Sequence, residues 1–91
     1  MIEKRVPVGD EQLSVGTSAT GLTLPSDGYQ GARMYVDSNG VRIRFGATPT
    51  AVIGLALADE MIELSRDEID SIEIIRSGGA NSEVFVSYWT A

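Results

Sequence analysis

The sequence predicts an all-β domain, a small jelly-roll-like β-sandwich of about seven to eight short antiparallel strands. Three observations carry this. Runs of alternating apolar and polar residues recur along the chain, and turn signals separate them. Ten glycines in 91 residues suit a chain that turns often. The stretch 32–57, ARMYVDSNGVRIRFGATPTAVIGLAL, sets two alternating runs around Asp-Ser-Asn-Gly and then passes a Thr-Pro-Thr corner into the longest apolar run. A length of 91 residues corresponds to one domain, 1–91, with one modest core.

Taken in order, residues 3–8 (EKRVPV) alternate, but Pro7 lacks a ladder donor and so belongs at an edge or a strand end. Gly9, Asp10 and Glu11 read as a turn, and residues 13–15 as a second short strand. Residues 1–16 are expected to form an N-terminal arm or an edge strand. Leu22-Thr23-Leu24 alternates, and Pro25-Ser26-Asp27-Gly28 is a turn signal.

In 32–36, Ala32, Met34 and Val36 share one face, with Arg33 and Tyr35 on the other. In 41–45, Val41, Ile43 and Phe45 alternate with Arg42 and Arg44. Asn39-Gly40 between them suits a type I′ turn, so the two runs are expected to form a hairpin. Residues 50–58 hold Val52, Ile53, Leu55 and Leu57 around Gly54 and read as a strand or extended segment, because β-branched residues and a glycine disfavour a helix. A turn at 58–60 leads to a strand over 61–64. Ser65 followed by Glu68 matches a capping box, which predicts a short 3₁₀ or helical turn over 65–69 and then a strand over 71–76. A loop over 77–82 precedes a last strand, 83–90. Its apolar residues lie on both faces, which suits a central strand or one whose second face meets a partner.

Composition narrows the function. With no Cys, disulfides, thiolate metal sites and a cysteine nucleophile are excluded. With no His, the commonest general base and metal ligand are missing, and no base is evident for a Ser or Thr nucleophile. Gly78-Gly79 lacks the Lys and the spacing of a phosphate loop. No cofactor is expected. The net charge of −6, with basic residues scattered, argues against nucleic acid as a partner. The longest apolar run, 51–58, is far short of the ~20 residues that span a bilayer, so no membrane partner is expected. The first twelve residues lack the apolar segment of a secretory leader, and the protein is expected to be soluble.

Several constellations admit two readings. Asp59, Glu60, Glu63, Asp67, Glu68, Asp70 and Glu73 form an acidic segment, either a Ca²⁺ site or, as the off-pattern spacing favours, a solvated face. Carboxylate pairs could serve glycoside hydrolysis, but a chain this short has little room for a cleft. Arg42 and Arg44, with Arg33 and Tyr35 across the expected hairpin, form either a docking surface or the solvent side of a half-buried sheet. Tyr88 and Trp89 either close the core or anchor an interface.

One resemblance covers most of the chain, 18–89. It rests on SATGLT at 18–23, GARMYV at 31–36, VRIRFG at 41–46 and TPTAVIGLAL at 48–57, then IEL at 62–64, IDSIEII at 69–75 and VFVSYW at 84–89. In this order the motifs resemble a family of small virion proteins of tailed bacteriophages, short β-sandwich proteins usually encoded beside the major capsid protein. The resemblance implies a non-enzymatic component of the virion, a head-decoration or head-completion protein assembled in the host cytoplasm. Its partners would be the major capsid protein or other virion subunits, with self-association into a homo-oligomer. The motifs contain no reactive group, so no catalytic residue carries over, and the interface candidates are Arg42, Arg44, Tyr88 and Trp89. The other reading is a carbohydrate- or ligand-binding β-sandwich module, in which Tyr35 and Trp89 would stack on a sugar. A small hydrolase ranks third.

Overall fold

The computed structural model describes residues 5–25, 28–50 and 52–90. It contains seven strands and one short helix, in the order β1 (Val6–Val15), β2 (Gly31–Val36), β3 (Val41–Phe45), β4 (Leu55–Leu57), β5 (Glu60–Ser65), α1 (Arg66–Ser71), β6 (Ile72–Arg76) and β7 (Ser82–Thr90). The strands build two antiparallel sheets, a four-stranded one ordered β1-β7-β2-β5 and a three-stranded one ordered β4-β3-β6. This is the small all-β sandwich that the alternation predicted.

The inward faces follow the two-residue period. Met34, Val36, Val84, Val86 and Tyr88 from one sheet and Val41, Ile43, Ile72 and Ile74 from the other are all buried in a single core. Tyr29, in the 16–30 connection, joins them, its ring edge-on to Tyr88 at 6.0 Å. The same connection leans on the free side of β6, where Thr20 and Ile74 exchange both backbone hydrogen bonds (2.9 and 2.8 Å).

Strand β1 is the edge of the four-stranded sheet and pairs with β7 along its length. Gly9, Asp10 and Glu11 do not turn the chain. The register slips between Pro7 and Gly9, so the irregularity is a bulge inside one ten-residue strand. Edge position explains why Pro7 is tolerated. Residues 22–24 are not a strand, and the expected 25–28 turn involves Ser26 and Asp27, which lie outside the described residues. Over 50–58, the strand shrinks to Leu55–Leu57.

The expected hairpin between β2 and β3 does not form. Both sides of β2 are already occupied, by β5 and β7. The ladders continue one residue further, with Asp37 N–H donating to Glu83 O (3.2 Å) and Asp37 O accepting from Asp59 N–H (3.0 Å). No row of backbone groups is left for β3, which crosses to the other sheet and stacks its apolar face on that of β2. The turn agrees: Gly40 has φ +79°, while Asp59 is the one non-glycine with positive φ among the described residues, so Asn39 is not in the type I′ conformation. Asp37 ties this arch down. Its carboxylate accepts from Asn39 N–H (3.0 Å), Ser82 OH (2.6 Å) and Glu83 N–H (2.9 Å), which holds its pKa below the usual carboxylate range, chiefly through the Ser82 bond.

The helix bridges the sheets as the capping box predicted. Ser65 Oγ accepts from Glu68 N–H, and Glu68 Oε1 accepts from Ser65 N–H. Ile69 is its buried residue and fixes it to the core.

Candidate interaction surface

Two apolar surfaces stay in solvent. The first crosses the outer face of the four-stranded sheet. The pairings Gln12–Phe85, Phe85–Tyr35 and Tyr35–Met61 place these four residues in one row across all four strands. Phe85, Tyr35 and Met61 are 46%, 48% and 58% exposed. The period that buries Val84, Val86, Met34 and Leu64 on one side puts these three outside. On one side the row is followed by the sheet ends that bear Glu83, Asp37 and Asp59. On the other it is followed by Asp10, Ser87, Arg33 and Glu63.

Beyond that polar row sits Trp89, opposite Gly31. A β-carbon at Gly31 would lie 2.5 Å from the indole, so the ring packs against the glycine itself. The Arg5 guanidinium covers the ring at 4.2 Å, and Arg33 stands 5.8 Å from its centre. Both arginines bond Glu63 Oε2, at 2.8 and 3.3 Å, and these two bonds hold the Glu63 carboxyl below its usual pKa, Arg5 contributing most.

The second surface is the tip formed by Phe45, the 52–53 turn and the edge strand β4. Val52, Ile53, Leu55 and Phe45 are 79%, 52%, 59% and 43% exposed. Thr50 and Ile53 exchange backbone hydrogen bonds at 3.0 and 3.3 Å and close the turn. Gly54 has φ +134°, and a β-carbon there would lie 2.9 Å from Ile43 O, so a larger residue would pry β4 from β3. Arg42 Nη1 donates to Gly54 O (3.0 Å), just past this turn, and Arg44 Nη1 to Thr48 O (3.4 Å), in the corner before it.

The predicted interface residues therefore separate. Arg42 and Arg44 stand on the outer side of the three-stranded sheet, Trp89 on the outer side of the four-stranded one. Arg33 and Tyr35, expected beside the arginine pair, lie with Trp89 instead, because β2 and β3 belong to different sheets. Tyr88 is 2% exposed and is a core residue. Its hydroxyl donates to Glu11 Oε1 (2.7 Å), which also accepts from Thr23 N–H (2.9 Å). Burial first, and the Glu11 carboxylate second, push the Tyr88 pKa up.

Phe85, Met61 and the tip residues were not singled out from the sequence. The signal was there: Phe85 and Met61 alternate out of phase with the buried residues of their strands. Among the described residues no three His, Cys, Asp or Glu side chains gather as a metal site, and the acidic segment 59–73 is divided between β5, α1 and β6. A groove of about 240 Å³ runs along β1 past Glu11, Thr23 and Leu24. No helix among the described residues is long and apolar enough to cross a membrane. Comparison with protein-family models, curated proteins and solved structures found no match.

Proposed function

We propose that this chain is a non-enzymatic structural component of a tailed-bacteriophage virion. In this reading it binds the capsid or neighbouring virion subunits by surface burial and so decorates the capsid or completes the head. The observation that carries the reading is the exposed row of Phe85, Tyr35 and Met61, an apolar centre with a polar rim on a firmly paired sheet. Aromatic side chains at the centre of a rimmed patch supply most of the binding energy when water is driven off. Each 100 Å² of apolar surface covered contributes roughly 2–3 kcal/mol before the costs of association. A subunit that binds only the assembled particle stabilises that state by mass action. The sequence motifs of the virion family point the same way, and the absence of His and Cys leaves little catalytic chemistry.

The sugar-binding reading draws less support. Trp89, its main stacking group, is already packed against Gly31 and overlaid by Arg5. Labelling of purified phage particles with an antibody raised against the chain tests the proposal. Label on the particles is the expected result. Chain confined to the particle-free fraction of the lysate would end it, and a Trp89 fluorescence change with a glycan would favour the binding-module alternative.

A further inference from the structure

The charges on the two apolar surfaces differ in sign. Residues 41–57, which hold the whole tip, contain two arginines and no carboxylate. The rest of the chain carries all 13 carboxylates and five of the seven cations. Glu73, opposite Arg44 in the ladder, offsets part of the tip's charge but is bonded to Thr48 Oγ1 at 3.4 Å. The sheet row, by contrast, ends on Glu83, Asp37 and Asp59, the last residues of the β7-β2-β5 ladder at that end.

We propose that copies of this chain join head to tail. The tip of one copy (Phe45, Val52, Ile53 and Leu55) seats on the Tyr35–Phe85–Met61 row of the next, with Arg42 and Arg44 facing the Glu83 end. The inference rests on the assembly reading above and names its partner as a second copy. The two surfaces lie on different sides of the sandwich, one on the outer face of the four-stranded sheet and one at the open β4 edge of the other sheet. One contact therefore leaves a free tip on one copy and a free row on the other. A repeated contact of this kind closes into a ring if its rotation allows, and otherwise extends as a filament. A two-fold contact of row on row would bury three apolar side chains of each copy and leave both tips in water. The edge strand points the same way: β4 is three residues long and apolar, Leu55 and Ala56 are exposed, and among the described residues nothing pairs with its outer side. Such an edge is a ready site for another chain.

The test is mass in solution by light scattering across protein concentration, on the full chain and on Arg44→Glu, Glu83→Arg and the double variant. Both positions are exposed, and circular dichroism confirms that the variants fold. The wild type is expected to exceed the mass of a dimer. Either single variant should raise the concentration needed for assembly by roughly tenfold or more, because it sets like charges against each other. The double variant should recover assembly, since every contact then again joins opposite charges, and so should an equal mixture of the two single ones, in which copies of the two kinds alternate. A wild-type monomer at every concentration, a closed dimer, or single variants that assemble like the wild type would each overturn the inference. Particle labelling reads the virion proposal separately. Labelled particles together with a monomeric chain would refute the head-to-tail contact and leave the virion reading standing.

Discussion

The two sheets of the sandwich expose apolar side chains for different physical reasons. On the four-stranded sheet, Phe85, Tyr35 and Met61 sit in the middle of a fully paired sheet, above a buried layer that contains Met34 and Val86. Their exposure is a property of the face. On the three-stranded sheet, the middle of the outer face is polar, with Arg42 and Arg44, and the apolar residues gather where the core runs out. Ile43 is 1% exposed, while Leu55 opposite it is 59% exposed and Phe45, two residues on, is 43% exposed. The larger sheet offers a face of paired strands and the smaller one a short open edge. Platforms and edges complement each other in shape, and here in charge as well.

The deepest way to break the comparison is to remove what supports the larger sheet from inside. Tyr88→Ala deletes the largest fully buried side chain and leaves Glu11 without its hydroxyl partner. Chemical denaturation should show a loss on the order of 3–5 kcal/mol, enough to unfold much of a domain this size. Next comes the platform's own surface. Gly31→Val drives a side chain into the Trp89 indole and should cost about 1–3 kcal/mol by overpacking. Tryptophan emission should shift to the red as the ring leaves the sheet. An unshifted spectrum with unchanged stability would mean that the ring does not pack there.

A middle-sized effect concerns the arch that separates the two faces. The Asp37 pKa is lowered in the fold, so the stability tied to its charge is complete above the unfolded carboxylate value, about 3.9. That stability is lost as pH falls through the lower folded value. Asp37→Asn should lower the melting temperature at pH 7 and flatten its fall between pH 4 and pH 2, roughly the carboxylate range. An acid limb that keeps its slope would show that Glu63 or another carboxylate carries it. Tyr88 works at the other end of the scale. Its raised pKa favours the neutral phenol in the fold, so its contribution holds below about pH 10 and fades above it. The smallest effect on folding belongs to the tip: Val52→Asp, at 79% exposure, should change stability by no more than about 0.5 kcal/mol. The same substitution should weaken self-association, and that contrast separates a surface built for contact from one built for folding.

Much of this molecule was legible in the chain itself. The two-residue period sorted the side chains of β2, β3 and β7 onto two faces, and in β2 and β3 it also marked the inward one, because a strand cannot turn one residue without turning all of them. The Ser65–Glu68 pair announced the helix, since both of its hydrogen bonds are local. Pro7 marked an edge because a missing N–H is missing in any fold. The arginine pair and the C-terminal aromatics stand out in the sequence as interaction candidates, but the alternation places the arginines beside Arg33 and Tyr35.

What the sequence could not decide was partnership. Alternation at 32–36 and 41–45 is satisfied equally by a hairpin within one sheet and by an arch between two, because both bury the same side chains. The choice was made by residues far away: β5 and β7 take both sides of β2, and Asp37 reaches across to Ser82 and Glu83. That choice separated Arg42 and Arg44 from Tyr35. It also aligned Phe85, Tyr35 and Met61, drawn from three separate strands, into one row. Tyr88 and Trp89, adjacent in the chain, went to opposite sides of one sheet, the first under Glu11 and the second under Arg5. Local chemistry determined which faces are apolar, and long-range hydrogen bonding determined which faces meet.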